Sequence, residues 1–336
     1  MSKNILVTGG AGYIGSHTGN QLIENGHSVV VLDNLSTGFE KALPENSTFV
    51  KGDVGDSKLV SQLIKDYQIE DIIHFAAHLL VPESVEKPMK YYRNNVVASQ
   101  SLINCALEAN IRNFIFSSTC AIYGMVATYP VDELTPMQPI SPYGRTKCVT
   151  EWTLSDINTA IKSGHLNSDF KYVALRYFNV AGARPDGKLG QMTENAIHII
   201  KVCCETALGI RDQVTVFGTD YNTPDGSCIR DYIHVDDLAM AHLDALNYLR
   251  SGGESNEFNC GYGHGYSVKE IIDVMKKVSG VDFKVVEGPR RDGDTIAIAA
   301  DNRKIKAALN WKPVHDDIEM ICRTALDWEK SYRGIS

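Results

Sequence analysis

The sequence predicts an α/β protein: a doubly wound parallel sheet with a smaller C-terminal α/β lobe. Three observations predict it. Short apolar runs alternate with helical patterns through the first half, as in strands joined by crossover helices. A glycine-rich turn joins the first run to the first helical pattern. The regularity loosens after about residue 180, where glycine and proline cluster at 182–190 and 218–226.

Taken in order, residues 4–8 read as a strand and 14–24 as a helix stopped by Asn25-Gly26. Strands follow at 28–32 and 48–51, a helix at 59–67, a strand at 71–75 and a long helix at 88–109. Residues 113–117 form the fifth strand, 142–160 a helix with Pro142 in its first turn, and 172–176 the sixth strand. Right-handed crossovers place the helices on both faces of the sheet. Helices are expected at 193–207, 235–249 and 267–278, and a polar loop at 287–294. The division is 1–180 for the sheet domain and 181–336 for the second lobe, with about 228–262 returning to the first domain.

With 336 residues, 43% hydrophobic and 22% charged, the chain can bury a large core and does not read as disordered. A net charge of −8 without long charge runs argues against nucleic acid or an anionic membrane as the main partner. The eight cysteines include no CxxC pair, so they read as buried reduced thiols, and no metal is expected. Residues 1–8 run straight into a strand with no signal-peptide pattern. The longest apolar stretch, 72–81, falls short of the ~18 residues a membrane span needs. A cytoplasmic location is expected.

Glycines 9, 12 and 15 write GxxGxxG between the first strand and the first helix. A tight turn, close backbone approach to a pyrophosphate and close helix–sheet packing all demand glycine there. Asp33 ends the next strand, 18 residues beyond Gly15, where a carboxylate accepts bonds from ribose hydroxyls and repels a 2′-phosphate. A Rossmann-like unit binding NAD rather than NADP is expected. Tyr143 and Lys147 lie four apart on one helix face, downstream of Ser117-Ser118-Thr119 at the end of the fifth strand. For a tyrosine of pKa ~10 to act as a base near neutral pH, a drop of ~3 units is needed, about 4 kcal/mol. The Lys147 ammonium and a positively charged nicotinamide would favour the phenolate.

With these residues, and with TGGAGYIGSH (8–17), ESVEKP (83–88), YYRNNV (91–96), SPYGRTK (141–147), RYFNVAGA (176–183), IRDYIHVDDLA (229–239) and PRRDGD (289–294), the chain resembles the extended short-chain dehydrogenase/reductase family, in its UDP-hexose 4-epimerase branch. The resemblance runs from Ile5 to about Trp328. It implies NAD-dependent interconversion of UDP-galactose and UDP-glucose through a transient 4-keto sugar, by a homodimer whose NAD is tightly held and not consumed. Tyr143 would take the proton from the sugar 4-hydroxyl, Thr119 would bond the same oxygen, and Lys147 would hold the nicotinamide ribose. Gly9, Gly12, Gly15, Tyr13, Ile14, Asp33, Asn34, Asp53, Val54, Phe75, Ala76, Ala77, Asn94 and Phe178 would contact NAD. Asn179, His198, Phe217, Arg230, Tyr232, Arg291 and Asp294 would hold the UDP-sugar.

Three positions depart from the family pattern. Leu79 stands where a lysine often approaches the cofactor phosphates, and His198 where an asparagine touches the nucleotide. Ile298 stands where a tyrosine crowds the sugar, so a 2-acetamido group has room and UDP-N-acetylglucosamine/UDP-N-acetylgalactosamine epimerisation, alone or as a dual specificity, stays open. A related dehydratase or decarboxylase needs an acid after the threonine, where this chain has Cys120 and Ala121. A non-catalytic dinucleotide-binding protein would lose the tyrosine or lysine, and both are present. A dehydrogenase with net turnover of NAD is the remaining alternative.

Overall fold

Runs of valine, isoleucine and leucine become the strands of one parallel sheet in the computed structural model, which describes residues 4–194, 196–291 and 294–335. The first half supplies β1 (Asn4–Thr8), β2 (Ser28–Asp33), β3 (Thr48–Lys51), β4 (Ile69–His74), β5 (Asn113–Thr119) and β6 (Lys171–Tyr177). The second half adds β7 (Asn179–Ala181), β8 (Val214–Phe217), β9 (Ile229–Arg230), β10 (Tyr232–His234), β11 (Asn256–Cys260), β12 (Tyr266–Ser267), β13 (Val285–Gly288) and β14 (Ala297–Ile298). The main sheet runs β11-β6-β5-β4-β1-β2-β3, every pair parallel. Strand order reverses between β1 and β4, and the crevice at their carboxyl ends is where such sheets bind ligands.

Helices cover both faces: α1 (Tyr13–Glu24), α2 (Ser57–Asp66), α3 (Val81–Glu86), α4 (Pro88–Tyr91), α5 (Ala98–Glu108), α6 (Pro142–Lys162), α7 (Ile199–Ala207), α8 (Val235–Arg250), α9 (Val268–Ser279), α10 (Arg303–Leu309) and α11 (Ile318–Arg333). Burial on both faces explains why the strands read as continuous apolar runs. On one face Ile5, Val7 and Val31 pack with Leu22 of α1 and Leu238 and Leu246 of α8. On the other, Leu6, Val30 and Ile72 pack with Leu63 of α2, Leu102 of α5 and Leu154 of α6. Each such buried aliphatic side chain contributes about 2 kcal/mol. No helix of the described residues is long and apolar enough to cross a membrane.

Three expected elements change. The helix over 88–109 is interrupted by a π-helical stretch, Tyr92–Val97, in which the Ala98 N–H reaches the Arg93 carbonyl. The helix over 193–207 begins only at Ile199, with His198 extended as its N-cap; Asn195 lies outside the described residues. Within the expected loop 287–294, Glu287 and Gly288 pair with Val216 and Phe217 as part of β13, because an adjacent edge was available; Asp292 and Gly293 lie outside the described residues. Helices α10 and α11 and the short strands of the second half add to the expected elements.

Candidate active site

The glycine turn is a cradle that side chains would fill. Gly9 has φ 72°, and a Cβ there would stand 2.6 Å from the Ala76 nitrogen. A Cβ on Gly15 would collide with the Gly9 carbonyl, and Gly12 begins α1 with no side-chain cap on its N–H groups. The Ala11 N–H (3.0 Å) and the Leu35 N–H (2.8 Å) donate to the buried Asp33 carboxylate, fixing it beside the cradle. Burial pushes its pKa up, and these two bonds oppose the shift. Asn34 donates to Asp53 at 2.9 Å, Gly55 N–H braces the same carboxylate at 2.8 Å, and Val54 is buried alongside. A helix N-terminus with a tight glycine approach fits a dinucleotide pyrophosphate, and an oriented carboxylate 18 residues on fits ribose hydroxyls.

The remaining expected cofactor contacts take different orientations. The Phe75 ring is turned onto His242 (centroids 4.7 Å apart), so it is the Phe75–Ala76 backbone that meets the glycine loop, with Ala77 following it. The Tyr13 hydroxyl donates to the Gly182 carbonyl at 2.6 Å and is buried, which raises its pKa, while Ile14 packs against the core. Asn94 lies in the π-helical stretch and donates to Asn95 at 2.9 Å. Asn95, which sequence reasoning passed over, clasps both backbone groups of His78 (2.8 and 2.9 Å) and donates to Thr146 of α6 at 3.2 Å.

At the end of β5 the expected trio comes together. Ser141 caps α6 by accepting from Gly144 N–H at 3.1 Å, which places Tyr143 in the first turn and Lys147 one turn on. The Thr119 hydroxyl lies beside the Tyr143 phenol and favours its ionised form. Lys147 Nζ donates to the Ser117 carbonyl at 2.7 Å and sits 4.8 Å over the Phe116 ring. Burial pulls Lys147 down to about 7, and Glu151 opposes that shift. The expectation that Lys147 depresses Tyr143 is not met within the chain alone: burial dominates and holds Tyr143 up at about 12.

A second cluster gathers around Arg230 and Arg291. Arg291 bonds Asp294 (Nε to Oδ2, 2.9 Å) and lies over the Phe217 ring at 4.7 Å. Arg230 approaches the same carboxylate at 3.9 Å and donates to the Ile229 carbonyl at 2.9 Å. His198 meets Gln191 at 3.1 Å, and burial and the Arg291 charge lower its pKa. Tyr232 is buried with Asn179 beside its hydroxyl. Phe178 and Ile298 pack in one apolar cluster with Ile122 and Cys148, against partly buried Cys120. Ile298 is 2% exposed. Leu79, by contrast, is 46% exposed.

Comparison with known proteins agrees with this geometry. A model described as the NAD dependent epimerase/dehydratase family matches residues 5–261. The chain is 46% identical over 330 residues to a UDP-glucose 4-epimerase of Azospirillum brasilense, covering 98% of this chain and 93% of that protein. It superposes on the crystal structure of UDP-glucose 4-epimerase from Brucella ovis in complex with NAD, with TM-score 0.91, 43% identity, and 97% and 98% of the two chains covered. The UDP-Glc/GlcNAc 4-epimerase of Campylobacter jejuni matches with TM-score 0.84, 49% identity, and 98% and 100% coverage.

Proposed function

The chain belongs to the NAD dependent epimerase/dehydratase family, and on that premise we propose that it interconverts UDP-galactose and UDP-glucose by NAD-dependent epimerisation at C4. The observation that carries the reading is the meeting of Thr119, Tyr143 and Lys147 at the end of β5, beside a glycine cradle backed by Asp33. NAD, when bound, supplies the hydride acceptor and donor and a positive charge beside the phenol. Gly9, Gly12, Gly15 and the α1 N-terminus would hold its pyrophosphate, and Asp33 its adenosine ribose.

The chain's own residues handle the proton and the sugar. Tyr143 takes the proton from the 4-hydroxyl and returns it to the same oxygen, so its ionisation is restored with each turnover. Thr119, held beside that phenol, bonds the oxygen through both halves. Arg230 and Arg291, both oriented by Asp294, match a diphosphate by charge and fork geometry. Division of labour follows the chain in outline: 1–180 holds NAD and the reacting trio, and 181–336 holds most of the UDP-sugar, with about 228–262 returning to the first domain. A homodimer is supported by Val97 and Trp152, exposed apolar side chains on packed neighbouring helices. A cytoplasmic setting is supported by eight cysteines that are all unpaired.

A second reading, dual specificity for UDP-N-acetylhexosamines, is favoured by isoleucine at 298 and by the likeness to the Campylobacter jejuni enzyme. Proton NMR of one tube holding the protein, UDP-galactose and UDP-N-acetylgalactosamine, without added NAD, tests both. UDP-glucose is expected to form. Growth of UDP-N-acetylglucosamine as well establishes the dual specificity, and its absence refutes it. No conversion even after NAD is added overturns the epimerase reading.

A further inference from the structure

Tyr143, Lys147 and Glu151 follow one another at four-residue intervals on α6, and each meets one of the last three residues of β5. The Ser117 carbonyl holds Lys147, the Ser118 hydroxyl donates to Glu151, and the Thr119 hydroxyl lies beside Tyr143. Glu151 has no part in the chemistry above, yet it is a carboxylate with 2% exposure. Burying a carboxylate is costly unless it is paired and hydrogen-bonded on several sides. Arg176 meets that need with Nε at 3.2 and 3.1 Å from the two oxygens and Nη2 at 2.6 Å. Arg176 is itself held by the Tyr123 hydroxyl (3.0 Å) and the Glu133 carbonyl (3.2 Å).

We propose that Glu151 is a positioning residue: through Ser118 it locks the register of α6 on β5, and it supplies the negative charge one helical turn from the Lys147 ammonium. The inference rests on the epimerase reading above. The groups around Lys147 leave this task to Glu151. From β5 come the Phe116 ring and the Ser117 carbonyl. From β4 comes His74, neutral because burial pulls it down to about 3. From β6 come the Tyr177 phenol, bonded to the Ser117 hydroxyl, and the Arg176 cation. Tyr143, on α6 itself, is a phenol raised by burial. Among these groups Glu151 is the one carboxylate, and it is shared with the Arg176 guanidinium. It opposes the burial that pulls Lys147 down to about 7.

The experiment compares the holoenzyme with E151Q, E151D and S118A, by pH profiles of kcat/KM and kcat for UDP-galactose, NAD content and thermal midpoint. E151Q should move the basic limb acidward by about one pH unit, so that its activity relative to wild type falls about tenfold from neutral to alkaline pH. E151D keeps the charge and should keep the limb. S118A keeps the charge but cuts the tie, so kcat should fall with the limb in place. A lower thermal midpoint for E151Q with an unmoved limb would mean an ion pair for stability alone, and overturns the proposal. If E151Q does not fold, S118A decides: a moved limb or an unchanged kcat overturns it. A wild type that epimerises nothing fails the parent reading first, and this inference with it.

Discussion

Removing one oxygen from Tyr143 separates catalysis from architecture. Its ring stays in the first turn of α6, and the side-chain partner of its hydroxyl is Thr119. Y143F should lose at least a hundredfold in kcat, as expected when a general acid–base group is deleted. Its NAD content and unfolding midpoint should match wild type, as read by absorbance of the extracted nucleotide and by thermal scanning. G15A should do the opposite. Its new methyl collides with the Gly9 carbonyl, so the cradle must shift; the purified protein should contain little NAD while Tyr143 and Lys147 remain in place. Asp33, Tyr143 and Lys147 were legible because spacing along one strand or one helix face fixes where each points. Asn95, Glu151 and Arg176 were not: each acts through partners more than 15 residues away, such as His78, Ser118 and Tyr123, and no local pattern encodes such pairs.

The elements that carry the site depend on their ends. Ser141 accepts the Gly144 N–H, and Pro142 presets the first helical φ, so the turn that holds Tyr143 starts at a defined residue. S141A should cost about 1 kcal/mol, measured by urea unfolding. It should lower kcat more than NAD affinity, because fraying reaches Tyr143 before it reaches the glycine loop. The sheet and most of its helices were readable from period and punctuation. The π-helical stretch Tyr92–Val97 was not, since it spans little more than one turn, too short for its wider period to show in the apolar spacing. The late start of α7 was hidden for a different reason. Residues 196–198 look helical by composition, but Arg211 takes the Ala196 carbonyl at 3.0 Å and His198 meets Gln191. Tertiary contacts outweighed a local preference of a few tenths of a kcal/mol per residue.

The whole molecule should be sensitive to acid. His74, His234 and His242 are buried, with pKa pulled down to about 3, 4 and 4, so the folded chain leaves them neutral while the unfolded chain protonates them below about 6.5. Stability contributed by keeping them neutral is present above pH 6.5 and is lost as pH falls towards those folded values. Asp244 acts in the other direction: raised to about 6, it takes up a proton in the folded state first. For these four groups the balance between pH 6 and 5 is about two protons in favour of unfolding, a contribution of about 3 kcal/mol per pH unit. Urea midpoints measured across that interval check the slope; a flat response would mean that the buried rings open to water without unfolding. The second half also reaches back into the first: β11 completes the main sheet beside β6, and α8 packs on α1. A hybrid of two relatives joined once, near residue 180, would therefore exchange an edge strand and a helix of the cofactor sheet along with the sugar site. Shuffling sugar preference without disturbing that sheet takes a double exchange that leaves β11 and α8 with their original partner strands.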